Sequence, residues 1–148
     1  MSRSPIPLKH RWLAVGASLA VYVLACATPA LELVGEEHWS MCGGEALLAG
    51  PLALFIGQFS WIANLFLGSA MVLALFGRMR AAAVISLAGL ALANHAWTLF
   101  GQEIPGDEGL VTKYALKSMQ IGFYLWLASF LILATAALAT QRRSSAPM

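Results

Sequence analysis

Six polar side chains fall within stretches otherwise apolar enough to cross a bilayer: Gln58, Asn64, Asn94, His95, Gln120 and Tyr124. An ionisable group at membrane depth is costly and by default marks a path for protons, ligand or substrate. Apart from the tyrosines and Cys26, His95 is the one such group in a span. At about 1.5 Å per helical residue, Asn64 and Asn94 come near the bilayer middle or a little outside it. Ser129 sits at similar depth, Tyr124 and then Gln120 lie nearer the outer face, and Gln58 lies above Asn64. Together these residues predict a polar layer in the outer half of a helix bundle. Two roles are open to it. Asn and His side chains can tie helices together, at on the order of 0.6–2 kcal/mol per hydrogen bond, or they can hold a ligand.

Other chemistries find no support in the sequence. Bis-histidine haem ligation needs two histidines at matching depth, but His10 and His38 lie outside the spans. No zinc-ligand spacing and no intramembrane pair of carboxylates occurs, so neither metal nor cofactor is expected. Cys26 and Cys42 both lie toward the outer side, where a disulfide is permitted; a disulfide and two free thiols both fit. The absence of a CxxC pair argues against thiol redox catalysis. The few basic residues are explained by topology, which leaves nucleic-acid binding without a basis.

The elements that must position this layer follow from composition. The chain has 148 residues, 59% hydrophobic and only 11% charged, against about a quarter charged in a soluble domain. The apolar residues come in blocks rather than in the alternation of a membrane barrel. Four blocks reach the roughly 20 residues that a spanning helix needs: 12–31, 46–76, 81–100 and 118–140. None has a Lys, Arg, Asp or Glu in its interior. The fold predicted is an all-α antiparallel bundle of four transmembrane helices, a single membrane domain.

Seven of the nine basic residues flank one end of these spans: Arg3, Lys9, Arg11, Arg78, Arg80, Arg142 and Arg143. All seven acids occupy the other two loops, 32–45 and 101–117. The positive-inside rule then places both termini and the turn 77–80 in the cytoplasm. Lys113 and Lys117, in an outer loop, run against the pattern. A secretory signal is the competing reading of the N-terminus, with Val23-Leu24-Ala25-Cys26 as a weak cleavage box. The apolar run is longer than a signal core of about 7–15 residues, so an uncleaved first span is expected.

The short inner connection Gly77-Arg78-Met79-Arg80 predicts an antiparallel hairpin of the second and third helices. Ile104-Pro105-Gly106-Asp107 signals a turn in the second outer loop. Trp12, Trp39 and Trp97 fall near the interfaces that favour indole rings. Gly57, Trp61, Asn64 and Gly68 recur at spacings that share one helix stripe, which predicts a packing seam of the kind small residues make in lipid.

The stretch Phe59-Ser-Trp-Ile-Ala-Asn64, the earlier Pro29-Ala-Leu31, the approach from Gly43-Gly44-Glu45 to Gly50, and the run from Gly122 to Ser129 carry a resemblance. Together they are similar to a group of small, uncharacterised four-span proteins of bacterial inner membranes. In that group a proline often follows the asparagine of the second helix; here Leu65 stands instead, which removes a cause for a kink. The resemblance implies an inner-membrane location and brings no activity with it. The functional expectation is a non-enzymatic membrane protein acting through helix or loop contacts with the lipid bilayer and another membrane protein or itself. An accessory subunit or an immunity-type protein would do so. The alternative is a small transporter or redox subunit built around His95 and Asn64.

Overall fold

The computed structural model describes residues 8–35, 38–105 and 113–144, the side chains of Pro105 and 141–144 excepted. In chain order the elements are α1 (Leu8–Ala27), β1 (Pro29–Val34), β2 (His38–Cys42), α2 (Gly43–Ala53), α3 (Ala63–Leu75), α4 (Met79–Ala93), β3 (Glu103–Pro105), β4 (Lys113–Met119) and α5 (Ile121–Ser144). Short 3-10 segments lie at Leu54–Ile56 and Ser60–Ile62, and a longer one at Asn94–Gly101.

Helices α1, α3, α4 and α5 form the bundle, with α1 against α5, α5 against α4 and α4 against α3. Close backbone approach and cross-helix hydrogen bonds hold them, the interactions on which helix association in lipid depends. The buried seam of α3 is Ala63, Leu67, Ala70 and Ala74. It faces α4, which buries Ala82, Ala83, Ser86, Gly89 and Ala93. The Ser18 hydroxyl of α1 donates to the Ser129 carbonyl at 2.7 Å, and that of Ser86 in α4 donates to the Phe130 carbonyl at 2.8 Å. Two neighbours thus grip α5 through its own backbone. The expected Gly57/Trp61/Asn64/Gly68 seam is corrected: Gly68 is exposed with open space beside it, and Gly57 lies outside the helix.

The fold is mostly helical rather than all-α. An antiparallel four-stranded sheet in the order β2-β1-β4-β3 caps one end of the bundle, built from what composition marks as two loops. Leu33, Leu116 and Met119 turn inward from it onto Ala96, Leu99 and Phe123, which makes a second small core. Along β4, Leu116 is buried between exposed Ala115 and Lys117, and a register irregularity opposite Glu32 and Leu33 lets Met119 turn inward as well. Ile104 and Pro105 belong to β3; the predicted turn continues into 106–112, outside the described residues.

A single helix over 46–76 is also corrected. Three helices are long and apolar enough to cross a membrane, Leu8–Ala27, Met79–Gly101 and Ile121–Thr140, while this stretch splits into shorter apolar helices, Gly43–Ile56 and Ser60–Leu75. Gly57, at φ 78°, stops the first of them. The Gln58 N–H reaches back to the Ala53 carbonyl at 2.9 Å and the Gly57 N–H to that of Leu54 at 3.1 Å, the paired bonds of a Schellman stop. Gly77, at φ 79°, repeats the device at the end of α3, with Arg78 N–H on the Leu73 carbonyl and Gly77 N–H on that of Ala74. There it closes the expected α3–α4 hairpin.

Candidate functional site

The helix break organises the polar residues. Pro51 has no N–H, so in α2 the Leu47 carbonyl lacks its usual partner four residues on. Trp61 supplies one, its indole N–H donating to that carbonyl at 2.8 Å. The indole crosses directly over Gly50, where a Cβ would come within 1.9 Å of the ring. Gly50, Pro51 and Trp61 therefore act as one device that clamps α2 against the start of α3.

One turn further on, the Asn64 side chain joins three helices. Its Oδ1 accepts the Trp126 indole N–H at 2.9 Å and the Tyr22 hydroxyl at 3.1 Å, while its Nδ2 donates to the Trp61 carbonyl at 2.9 Å. An indole nitrogen can only donate, which fixes the amide orientation.

Gln58 and His95 meet at the break itself. Gln58 is 2% exposed, and its Nε2 donates to Thr98 Oγ1 at 2.9 Å and to Gln102 Oε1 at 3.4 Å. The Thr98 hydroxyl is already donating to the His95 carbonyl at 2.8 Å, so it accepts from Gln58. Gln58 Oε1 is then left to face His95 Nδ1 at 2.8 Å. The imidazole consequently donates from Nδ1 to Gln58 Oε1. The 3-10 segment explains the alignment: its period of three stacks His95 with Thr98 toward Gln58. The same period stacks Trp97 on Phe100, with centroids 5.7 Å apart, and buries Ala96 and Leu99.

Gln120 belongs instead to a node on the sheet. Its Nε2 donates to Glu32 Oε2 at 3.1 Å, which also accepts the Ser118 hydroxyl at 2.7 Å, and Lys117 Nζ lies 2.8 Å from Glu32 Oε1. The Lys117 and Ser118 hydrogen bonds hold the Glu32 carboxyl below the usual glutamate range. Lys113 pairs likewise with Glu103 at 2.5 Å. Both lysines that ran against the charge pattern are thus matched by acids.

The predicted single layer is therefore corrected to separate nodes. Asn94 is exposed and bonds back to the Leu90 carbonyl of its own helix; Tyr124, 48% exposed, packs edge-on against Phe123. Cys26 and Cys42 are free thiols, so the disulfide that they allowed is not formed. Cys42 instead caps α2: its Sγ accepts the Glu45 N–H at 3.4 Å and its N–H donates to Glu45 Oε2 at 2.8 Å. Among the described residues no cluster of His, Cys, Asp or Glu could hold a metal ion.

Compared with family models, curated proteins and solved structures, the chain finds no significant match. The site must be read from its own geometry. Tyr22, Trp126, Thr98 and Gln102 are the residues that sequence reasoning missed. Thr98 had a signal, lying three residues after His95; Tyr22 and Trp126 had none, because their role depends on how α1 and α5 pack. Between the sheet, α2 and the adjoining ends of α1 and α5 lies a cavity of about 550 Å³. Gln58 and Asn64 touch it from one wall, and Trp39 and Met41 from the sheet.

Proposed function

We propose that the chain is a non-enzymatic integral protein of a bacterial cytoplasmic membrane, kin to the small four-span group that its sequence resembles. Both termini and the Gly77–Arg80 turn face the cytoplasm in this reading, and the sheet faces outward. It works by presenting that sheet to another membrane protein, as an accessory or immunity-type subunit would. The observation that carries the reading is that two connections between helices are built into an ordered sheet. His38, Trp39 and Ser40 are exposed on β2, the strand at its edge. A free edge strand offers backbone donors and acceptors to an added strand. A photo-activatable side chain at position 40, in cells that make the protein, should give one discrete adduct with another membrane protein, and Trp39→Ala should abolish it. The same group at Val84, 64% exposed on α4, should label only lipid. Identical labelling from both positions would refute the proposal.

One observation favours a transporter or redox role as a second reading. His95 Nε2 has no hydrogen-bond partner among the described residues, and it sits where two stretches of irregular backbone meet. If that nitrogen handles protons or substrate, His95→Leu abolishes activity in the cell while the amount of folded protein stays normal. A fall in folded protein alone would return His95 to a purely structural part.

A further inference from the structure

We propose that the cavity beneath the sheet is a binding site for the hydrocarbon chain of an uncharged membrane lipid, which enters sideways past α2. Its volume of about 550 Å³ lies within the roughly 300–1,000 Å³ of small-molecule sites. No Asp, Glu, Lys, Arg or His lines it, so a charged group inside would be left unpaired at prohibitive cost. The amides of Gln58 and Asn64 are already engaged with protein partners. What the walls offer is flat apolar surface, from Trp61, Phe123 and Trp126 among others.

The backbone around the cavity points the same way. Non-helical backbone at membrane depth is tolerated only where protein covers it or where it lines a cavity. Two such stretches border this one: Ile56, Gln58 and Ser60 from the helix break, and Ala96 and Leu99 from the 3-10 segment. An eight-residue 3-10 run is unusual, since most stop at three or four residues. The chain departs from regular helix on both sides of one space.

The route of entry selects the source. Leu52 lines the cavity and is itself 68% exposed, with Leu48 at 83% and Phe55 at 88% on the same face of the α2 segment. Such a face is stable against lipid and not against water. The cavity therefore meets the acyl region of the bilayer along α2.

The test uses the full-length protein, purified in nonionic detergent, stripped of lipid and titrated with 1-monooleoylglycerol under native mass spectrometry. One lipid per chain is expected. Ala53→Phe, which fills the space from α2, should weaken binding about tenfold or more; Val84→Phe, on the exposed face of α4, should not. Should Ala53→Phe fail to fold by circular dichroism, Ala46→Leu on the same wall gives the same reading. A second titration uses N-phenyl-1-naphthylamine, a compact uncharged aromatic delivered from water. The proposal is overturned if that probe binds one to one and monooleoylglycerol cannot displace it. It is equally overturned if neither probe binds, or if the filled variants bind lipid as well as the native chain does.

Discussion

Three helices converge on the Asn64 side chain, and its replacement should be felt across the bundle. Asn64→Leu leaves the Tyr22 hydroxyl and the Trp126 indole N–H without an acceptor. At about 1–3 kcal/mol for each buried donor left unsatisfied, it should lower stability in detergent unfolding more than His95→Leu, which orphans only Gln58 Oε1. Equal losses would mean that the Asn64 node is not central. Glu32 gives a pH signature. Its folded pKa lies below the ordinary value of about 4.3, so its contribution is full above that pH and fades as the pH falls through the lower folded value. Glu32→Gln should remove this part of the acid sensitivity of the sheet, read by protease susceptibility between neutral and acid pH. An unchanged acid limb would assign the sensitivity to other groups.

At the scale of elements, the clamp on α2 gives the sharpest expectation. Trp61→Phe keeps an aromatic side chain but removes the indole N–H and its bond to the Leu47 carbonyl, at a cost of about 1–3 kcal/mol. Gly50→Ala drives a Cβ into the indole and should displace α2 altogether. Cysteine alkylation reads both, because Cys42 caps α2: its labelling should rise modestly in Trp61→Phe and strongly in Gly50→Ala. No change in the second variant would show that α2 does not rest on Trp61. This device also marks where sequence reading stopped. Apolar blocks locate most of α1, α4 and α5, because length and hydropathy alone make them, but 12–31 runs into β1 and 118–140 begins in β4. They merge α2 with α3, since Gly57 in an apolar run looks the same whether it packs a helix or ends one. Only its φ, set by the turn, distinguishes the two. The sheet was hidden for a related reason. Strands β1 and β2 are short, and Leu31, Leu33 and Met41 share a core with Leu116 and Met119 only when β4 arrives from far along the chain. Gln58, Asn64 and His95 were legible as residues that needed partners; which partners they found depended on packing.

For the whole molecule, charge and architecture agree. Among the described residues, Arg11, Arg78 and Arg80 gather at the turn end, while Glu32 and Glu103 lie on the sheet at the other. A reporter enzyme active only outside the cytoplasm should work when inserted after Gly35 and stay silent when fused after Met148. The opposite pattern would invert the proposed orientation. The sheet joins parts of the chain that are made at different times. Glu32 on β1 and Ser118 on β4, paired across the central strands, are separated by 86 positions. At the roughly 5–20 residues per second of synthesis, Glu32 on β1 waits on the order of 4–17 s for its partner on β4. During that interval the nascent β1 edge is bare and the apolar faces of Leu31 and Leu33 have no cover. The growing chain is then most open to capture by a chaperone or by a neighbour's strand, and it is the arrival of β4 that ends the exposure.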